Sequence, residues 1–70
     1  MLEQNYTKAA EWFKKAASAG NVYAEYNLGR CYLDGLGVEQ SNALALEWLQ
    51  KAQAQGHSGA DDLIREKGLA

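Results

Sequence analysis

Cys31 and His57 are the two side chains whose chemistry could supply a nucleophile and a general base. A cysteine reacts as its thiolate, and a catalytic pair needs the imidazole within hydrogen-bond reach and held by a third group. Their places in the pattern argue against such a pair. Cys31 falls on a helical apolar stripe, where a lone cysteine behaves as a small buried hydrophobe, and His57 falls in a turn well downstream. One histidine and one cysteine without closely spaced carboxylates also fall short of the several convergent donors a metal needs. Asp61, Asp62 and Glu66 form an acidic group. The first two read as charges favoured at a helix N-terminus, the third as part of a solvated face. Asp34-Gly35-Leu36-Gly37 has two glycines but no following lysine to hold a phosphate, so it reads as a turn. Trp12, Trp48 and Tyr32 are expected in a core rather than around a cofactor. No catalytic residue, no cofactor and no metal is expected, and the chain is read as a non-enzyme.

The elements that position these residues follow from a repeat. Trp12 and Trp48 stand 36 positions apart. The same offset superposes Glu3 on Glu39, Gln4 on Gln40, Ala9 on Ala45, Glu11 on Glu47, Lys15 on Lys51, Ala16 on Ala52, Gly20 on Gly56, Ala24 on Ala60 and Leu33 on Leu69. A period in the mid-thirties indicates stacked helix pairs. Composition agrees, with no proline, abundant helix formers and few β-branched residues. The apolar spacing predicts four helices: about 6–19 with Asn5 as N-cap and Gly20 as stop, 22–33 after Asn21, 42–55 with Ser41 as N-cap and before Gly56, and 59–67 with Ser58 as cap and Asp61 completing a capping box. Glu11–Lys15 and Glu47–Lys51 are i,i+4 pairs in the favourable order, marking solvent faces. Gly29 costs about 1 kcal/mol against alanine inside a helix, which predicts a close approach of two helices there.

Charge and address exclude several functions. The formal net charge is −2 with both signs interspersed, so the basic footprint of a nucleic-acid binder is missing and no nucleic acid is expected as partner. One cysteine cannot form an internal disulfide. The N-terminus lacks a signal-peptide pattern and no apolar run approaches a membrane span. The expected location is the cytoplasm, with no membrane partner.

The stretch Ala24-Glu25-Tyr26-Asn27-Leu28-Gly29-Arg30-Cys31-Tyr32-Leu33-Asp34-Gly35-Leu36-Gly37-Val38 resembles the Sel1-like repeat, with its alanine, Leu-Gly, tyrosine and Gly-x-Gly-Val loop. Ala45 to Ala52 and Gln55-Gly56-His57 resemble that repeat's second helix and its stop. The resemblance implies an all-α fold, an α-solenoid of antiparallel helix hairpins related to tetratricopeptide repeats, with four helices in one domain over 1–70. The expected division is a half-repeat at 1–20, a full repeat at 21–56 and a C-terminal capping helix at 57–70. The resemblance also implies a protein–protein interaction adaptor, often bacterial. Arg65 stands where the repeat's internal glycine belongs and Gly68 where its tyrosine belongs, which suits a cap with a polar outer surface. Some secreted relatives pair cysteines seven residues apart. Here Ala24 and Val38 occupy those distances from Cys31, which disfavours that branch and the penicillin-binding or β-lactamase-like activity attributed to it.

Two surfaces are expected to meet partners. Tyr23, Asn27, Arg30 and Asp34 share one side of the second helix, off its buried stripe. There an amide can hold a peptide backbone and a guanidinium a carboxylate. Tyr6, Trp12 and Phe13 lack cover on a chain that opens with a repeat's second helix, and such an apolar patch marks a partner surface, here self-association. The expected partner is a protein or peptide, including another copy of the chain. The alternative reading is a structural repeat scaffold, excised or engineered, with no ligand of its own.

Overall fold

In the computed structural model, which describes residues 2–69 (side chains from Asn5 onward), the described residues form four helices and no strand: α1 (Leu2–Ser18), α2 (Val22–Asp34), α3 (Asn42–Ala54) and α4 (Ser58–Glu66). Each helix packs on its neighbours in chain order, α1 on α2, α2 on α3 and α3 on α4. This is the helical solenoid that the repeat predicts. α1 differs from expectation, starting at Leu2 so that Asn5 lies inside the helix rather than capping it. Asparagine is only mildly unfavourable in a helix interior.

Glycine closes every helix by the same device. Gly20, Gly35, Gly56 and Gly68 have φ of +91°, +70°, +91° and +64°, left-handed values that cost glycine nothing. At the first turn the Gly20 N–H donates to Ala17 O (2.9 Å) and the Asn21 N–H to Ala16 O (3.0 Å). Thirty-six residues on, Gly56 donates to Gln53 O (2.9 Å) and His57 to Ala52 O (3.1 Å). This crossed pair satisfies the carbonyls that a helix end leaves open. The residue after Gly20 and the one after Gly56 each open the next helix. Asn21 Oδ1 accepts from the Ala24 N–H at 2.9 Å, and His57 Nδ1 accepts from the Ala60 N–H at 3.0 Å. His57 therefore caps α4, and Ser58, expected in that role, is its first residue. The carboxylate of Asp61 instead accepts from Gln53 Nε2 (2.6 Å) and pairs with Arg65 (3.2 Å).

The molecule measures 32 × 24 × 16 Å. Its thin dimension is less than two helix diameters of about 10 Å, so few side chains lie far from water. Leu28 and Leu49 are the largest fully buried ones, and alanine supplies much of the remaining core: Ala10, Ala17, Ala24, Ala45, Ala52 and Ala60. Small side chains let the helices approach closely. Gly29 marks the tightest crossing, where an added Cβ would lie 2.7 Å from Leu49 Cγ and 3.2 Å from Ala45 O. Trp48 is half-buried against the Ala17, Ala24 and Leu28 cluster. Trp12, expected in the core, is 63% exposed, with only an edge contact to Phe13 at 6.3 Å. The ion pairs among the described residues join Arg65 to Asp61 and Asp62, not Glu11 to Lys15 or Glu47 to Lys51. Lys51 Nζ instead lies over the Trp48 ring, 5.3 Å from its centroid.

Among the described residues one polar side chain is buried in this core. Glu25, 5% exposed, accepts from Gln55 Nε2 at 2.9 Å, and the same Nε2 donates to Gly20 O at 3.2 Å. Gln55 thus ties the end of α3 to the α1–α2 turn. Replacing Gln55 with alanine strips a buried carboxylate of its donor and is expected to cost about 1–3 kcal/mol. A double-mutant cycle with Glu25→Ala, followed by urea unfolding, measures the coupling. Additive losses would mean that the pair does not act as a unit.

Candidate functional site

α1 and α2 run side by side and leave a groove of about 210 Å³ between them. It is lined by Tyr6, Ala9 and Phe13 of α1, by Asn27, Arg30 and Cys31 of α2, and by Leu36 of the following loop. That loop is fastened at both ends. Gln40 Nε2 donates to Leu33 O (3.3 Å) and Asn42 Oδ1 (2.7 Å), and the Ser41 N–H donates to Tyr32 O (2.9 Å). A Cβ on Gly37 would overlap the Tyr6 carbonyl, so the loop lies directly on α1. A second, wider cleft of about 410 Å³ lies between Lys14, Tyr32, the 37–39 segment, Ser41 and Leu44.

The groove joins residues that the sequence assigned to two separate surfaces. Tyr6 and Phe13, expected in self-association, face Asn27 and Arg30, expected to hold a peptide. Trp12, Tyr23 and Asp34 are exposed but do not line it. Trp12 and Tyr23 are 63% and 64% exposed, and Tyr6 is 46% exposed. The amide of Asn27 is partly committed, its Nδ2 donating to Tyr23 O at 2.9 Å within the helix. The Arg30 guanidinium sits 5.7 Å from the Tyr26 ring centroid, with no carboxylate partner among the described residues. The sequence offered no sign that α1 and α2 residues line one groove, because that depends on how the two helices cross.

Cys31 forms part of the groove wall yet is only 7% exposed. Burial pushes its thiol above the ordinary value; Arg30 opposes the shift and Asp34 adds to it. The thiol is therefore a poor nucleophile near neutrality. His57 lies elsewhere, stacked on Tyr26 with centroids 4.3 Å apart and its Nδ1 occupied by the α4 N-terminus. No hydrogen bond links it to Cys31 among the described residues, so the two do not form a dyad. The raised thiol value also sets a pH dependence. Below the unfolded-state value both states keep the proton and folding is unaffected. As pH rises past it, the unfolded chain ionises first, so stability falls. Cys31→Ala is expected to flatten this alkaline loss in unfolding midpoints measured across the thiol range. An equally steep loss in the variant would place its origin elsewhere.

Among the described residues no three His, Cys, Asp or Glu side chains gather as a metal site, and no helix is long and apolar enough to cross a membrane. The Sel1 repeat model matches residues 1–21 and 22–57. The rat DAP3-binding cell death enhancer 1 is 38% identical over 58 residues, covering 83% of this chain and 11% of its own length. The Arabidopsis thaliana ERAD-associated E3 ubiquitin-protein ligase component HRD3B is 47% identical over 38 residues, covering 54% of this chain and 6% of its own length. The Saccharomyces cerevisiae chitin synthase regulator SKT5 is 31% identical over 71 residues, covering 99% of this chain and 10% of its own length. The chain thus spans about a tenth or less of these relatives. No solved structure gives a significant match. Sel1 repeats build protein-interaction scaffolds. With the family model covering α1 and the α2–α3 pair, from residue 1 to residue 57, the chain belongs to the Sel1 repeat family.

Proposed function

We propose that this chain is a non-catalytic protein-interaction module that receives its partner at the α1–α2 groove. The observation that carries this reading is an apolar groove with an arginine at its edge, beside exposed aromatics on both helices. Aromatic and arginine side chains dominate the energetics of protein interfaces. Tyr6 and Phe13 supply the apolar floor, Asn27 and Arg30 the polar edge, and Trp12, Tyr23 and Asp34 extend the contact outside it. The names of the relatives are consistent with work in assemblies, as a DAP3-binding protein and a ubiquitin-ligase component. On this reading the three divisions 1–20, 21–56 and 57–70 form one folded unit.

The test is capture of a partner on immobilised protein, with Arg30→Ala and Tyr6→Ala in parallel and folding checked by circular dichroism. A partner retained by the native chain and lost on both variants supports the groove. Retention unchanged on both variants moves the binding surface elsewhere. Failure to retain any partner favours the structural-scaffold reading. Solution molar mass over a concentration series reports whether the partner is a second copy.

A further inference from the structure

We infer that His57 is a proton-operated latch: uptake of a proton by its ring frees the N-terminus of α4 and loosens α4 from α3. The internal repeat supplies the comparison. Asn21 and His57 are equivalent at the offset of 36, and each follows a glycine with φ of +91°. Each caps the next helix through one side-chain atom, Asn21 Oδ1 accepting from the Ala24 N–H and His57 Nδ1 from the Ala60 N–H. The two caps differ in one property. An amide oxygen accepts at any ordinary pH, whereas an imidazole nitrogen accepts only while it carries no proton. Histidine is the side chain that ordinarily changes charge between about pH 5 and 8, and His57 is the sole histidine of the chain.

With a proton on Nδ1 the ring cannot keep its place. The new N–H would point at the backbone N–H of Ala60, and the positive charge would face the positive end of α4. Nor is there slack around the ring. A Cβ on Gly59 would lie 2.8 Å from His57 Cε1 and 3.2 Å from Nδ1, so the imidazole folds against the first turn of α4 in space that glycine leaves. Tyr23 stands at the position equivalent to Gly59, beside the shorter Asn21. The groups on the adjoining helices offer the charge little compensation. On α2, Tyr26 stacks on His57, but the Arg30 guanidinium already lies 5.7 Å from the centroid of that same ring, and Glu25 is buried and bonded to Gln55. On α3, Lys51 lies over Trp48. On α4, Asp61 and Asp62 are both paired with Arg65. Tyr26 also packs on the cluster of Leu49, Ala52, Ala60 and Ile64. A His57 ring that swings out therefore gives up the cap and a stack that borders the α3–α4 core together. Proton uptake and capping exclude each other, so falling pH favours the opened form and the latch is closed on the alkaline side of the ordinary histidine range.

The experiment follows amide hydrogen exchange by NMR in the whole chain and in His57→Asn, between about pH 8 and about pH 5.5, where ordinary carboxylates stay charged. Rates are corrected for the intrinsic pH dependence of exchange, so that protection reports local opening. In the native chain the protection of amides 62–69 is expected to fall about tenfold, as for the loss of one helix cap, while amides 25–31 of α2 change by less than about twofold. His57→Asn gives α4 the kind of cap that α2 already has and should abolish the pH dependence. The native chain also decides the question without the variant, because the His57 ring signals and the Ala60 amide should move with one midpoint. Constant α4 protection in the native chain, an equal fall in His57→Asn, an equal fall in α2 and α4, or a ring that gains its proton while the Ala60 amide stays unmoved would overturn the inference. None of these readouts involves the α1–α2 groove, so the latch and the interaction module stand or fall separately.

Discussion

Gly29→Ala is expected to destabilise the protein by about 1–3 kcal/mol, although alanine favours a helix interior by about 1 kcal/mol over glycine. The two effects oppose each other, and packing decides the sign. The added methyl would sit 2.7 Å from Leu49 Cγ and 2.9 Å from its Cδ2. Leu49 has no exposed surface, so its side chain cannot swing into solvent. The next obstacle is the Ala45 carbonyl at 3.2 Å, which belongs to the α3 backbone. Relief requires α2 and α3 to move apart, which loosens the most intimate helix pair in the molecule. A urea titration followed by circular dichroism should show a lower midpoint with an unchanged slope. A midpoint equal to or above that of the native chain would show that the helices have slack at this crossing.

Leu49→Ala is expected to have the larger effect, a loss of about 2–5 kcal/mol from the lost apolar transfer and the cavity left behind. Leu49 is fully enclosed by Ala52, Ala60 and Ile64, with Val22, Tyr26, Leu46, Leu63 and Leu69 packed around the cluster. Elements on both sides depend on it, since α2 crosses it at Gly29 and α4 packs beyond it through Ile64. A domain of seventy residues has little stability in reserve. The variant should therefore be largely unfolded at 25 °C, with collapsed amide dispersion and reduced helical signal. Leu44→Ala is the contrast, being 39% exposed at the wider cleft, and should shift the midpoint by only about 0.5 kcal/mol or less. A well-dispersed Leu49→Ala spectrum would mean that the core is organised around other residues.

The parts of this molecule legible in sequence are those set by local signals. Gly20 and Gly56 read as helix stops because a left-handed residue is needed there, and Ser41 reads as a cap because its side chain reaches the first turn. Gly29 read as a close contact because a helix tolerates glycine poorly without a packing reason. Features that depend on the crossing of helices were not legible. Sequence favours Ser58 over His57 as the α4 cap because serine is the better generic candidate, and only the crossed bonds at Gly56 place the preceding residue in that role. Glu25 and Gln55 are 30 residues apart and obey no helical period, so nothing in the chain announced their bond. Trp12 and Trp48 are equivalent in sequence, yet only Trp48 has a helix pair to lie against. The groove itself is the clearest case. Residues on α1 and α2 were assigned to separate surfaces because spacing along one helix carries no information about what stands across from it.

The bond from Gln55 to both Glu25 and Gly20 places the two tight turns beside each other along one edge of the slab. That edge is stitched like the spine of a book, each turn three residues long and closed by its own crossed pair of bonds. The opposite edge carries the longer 35–41 connection. Added residues would be absorbed in the 35–41 connection, and an insertion of even one residue at Gly20 or Gly56 would rotate every helix beyond it.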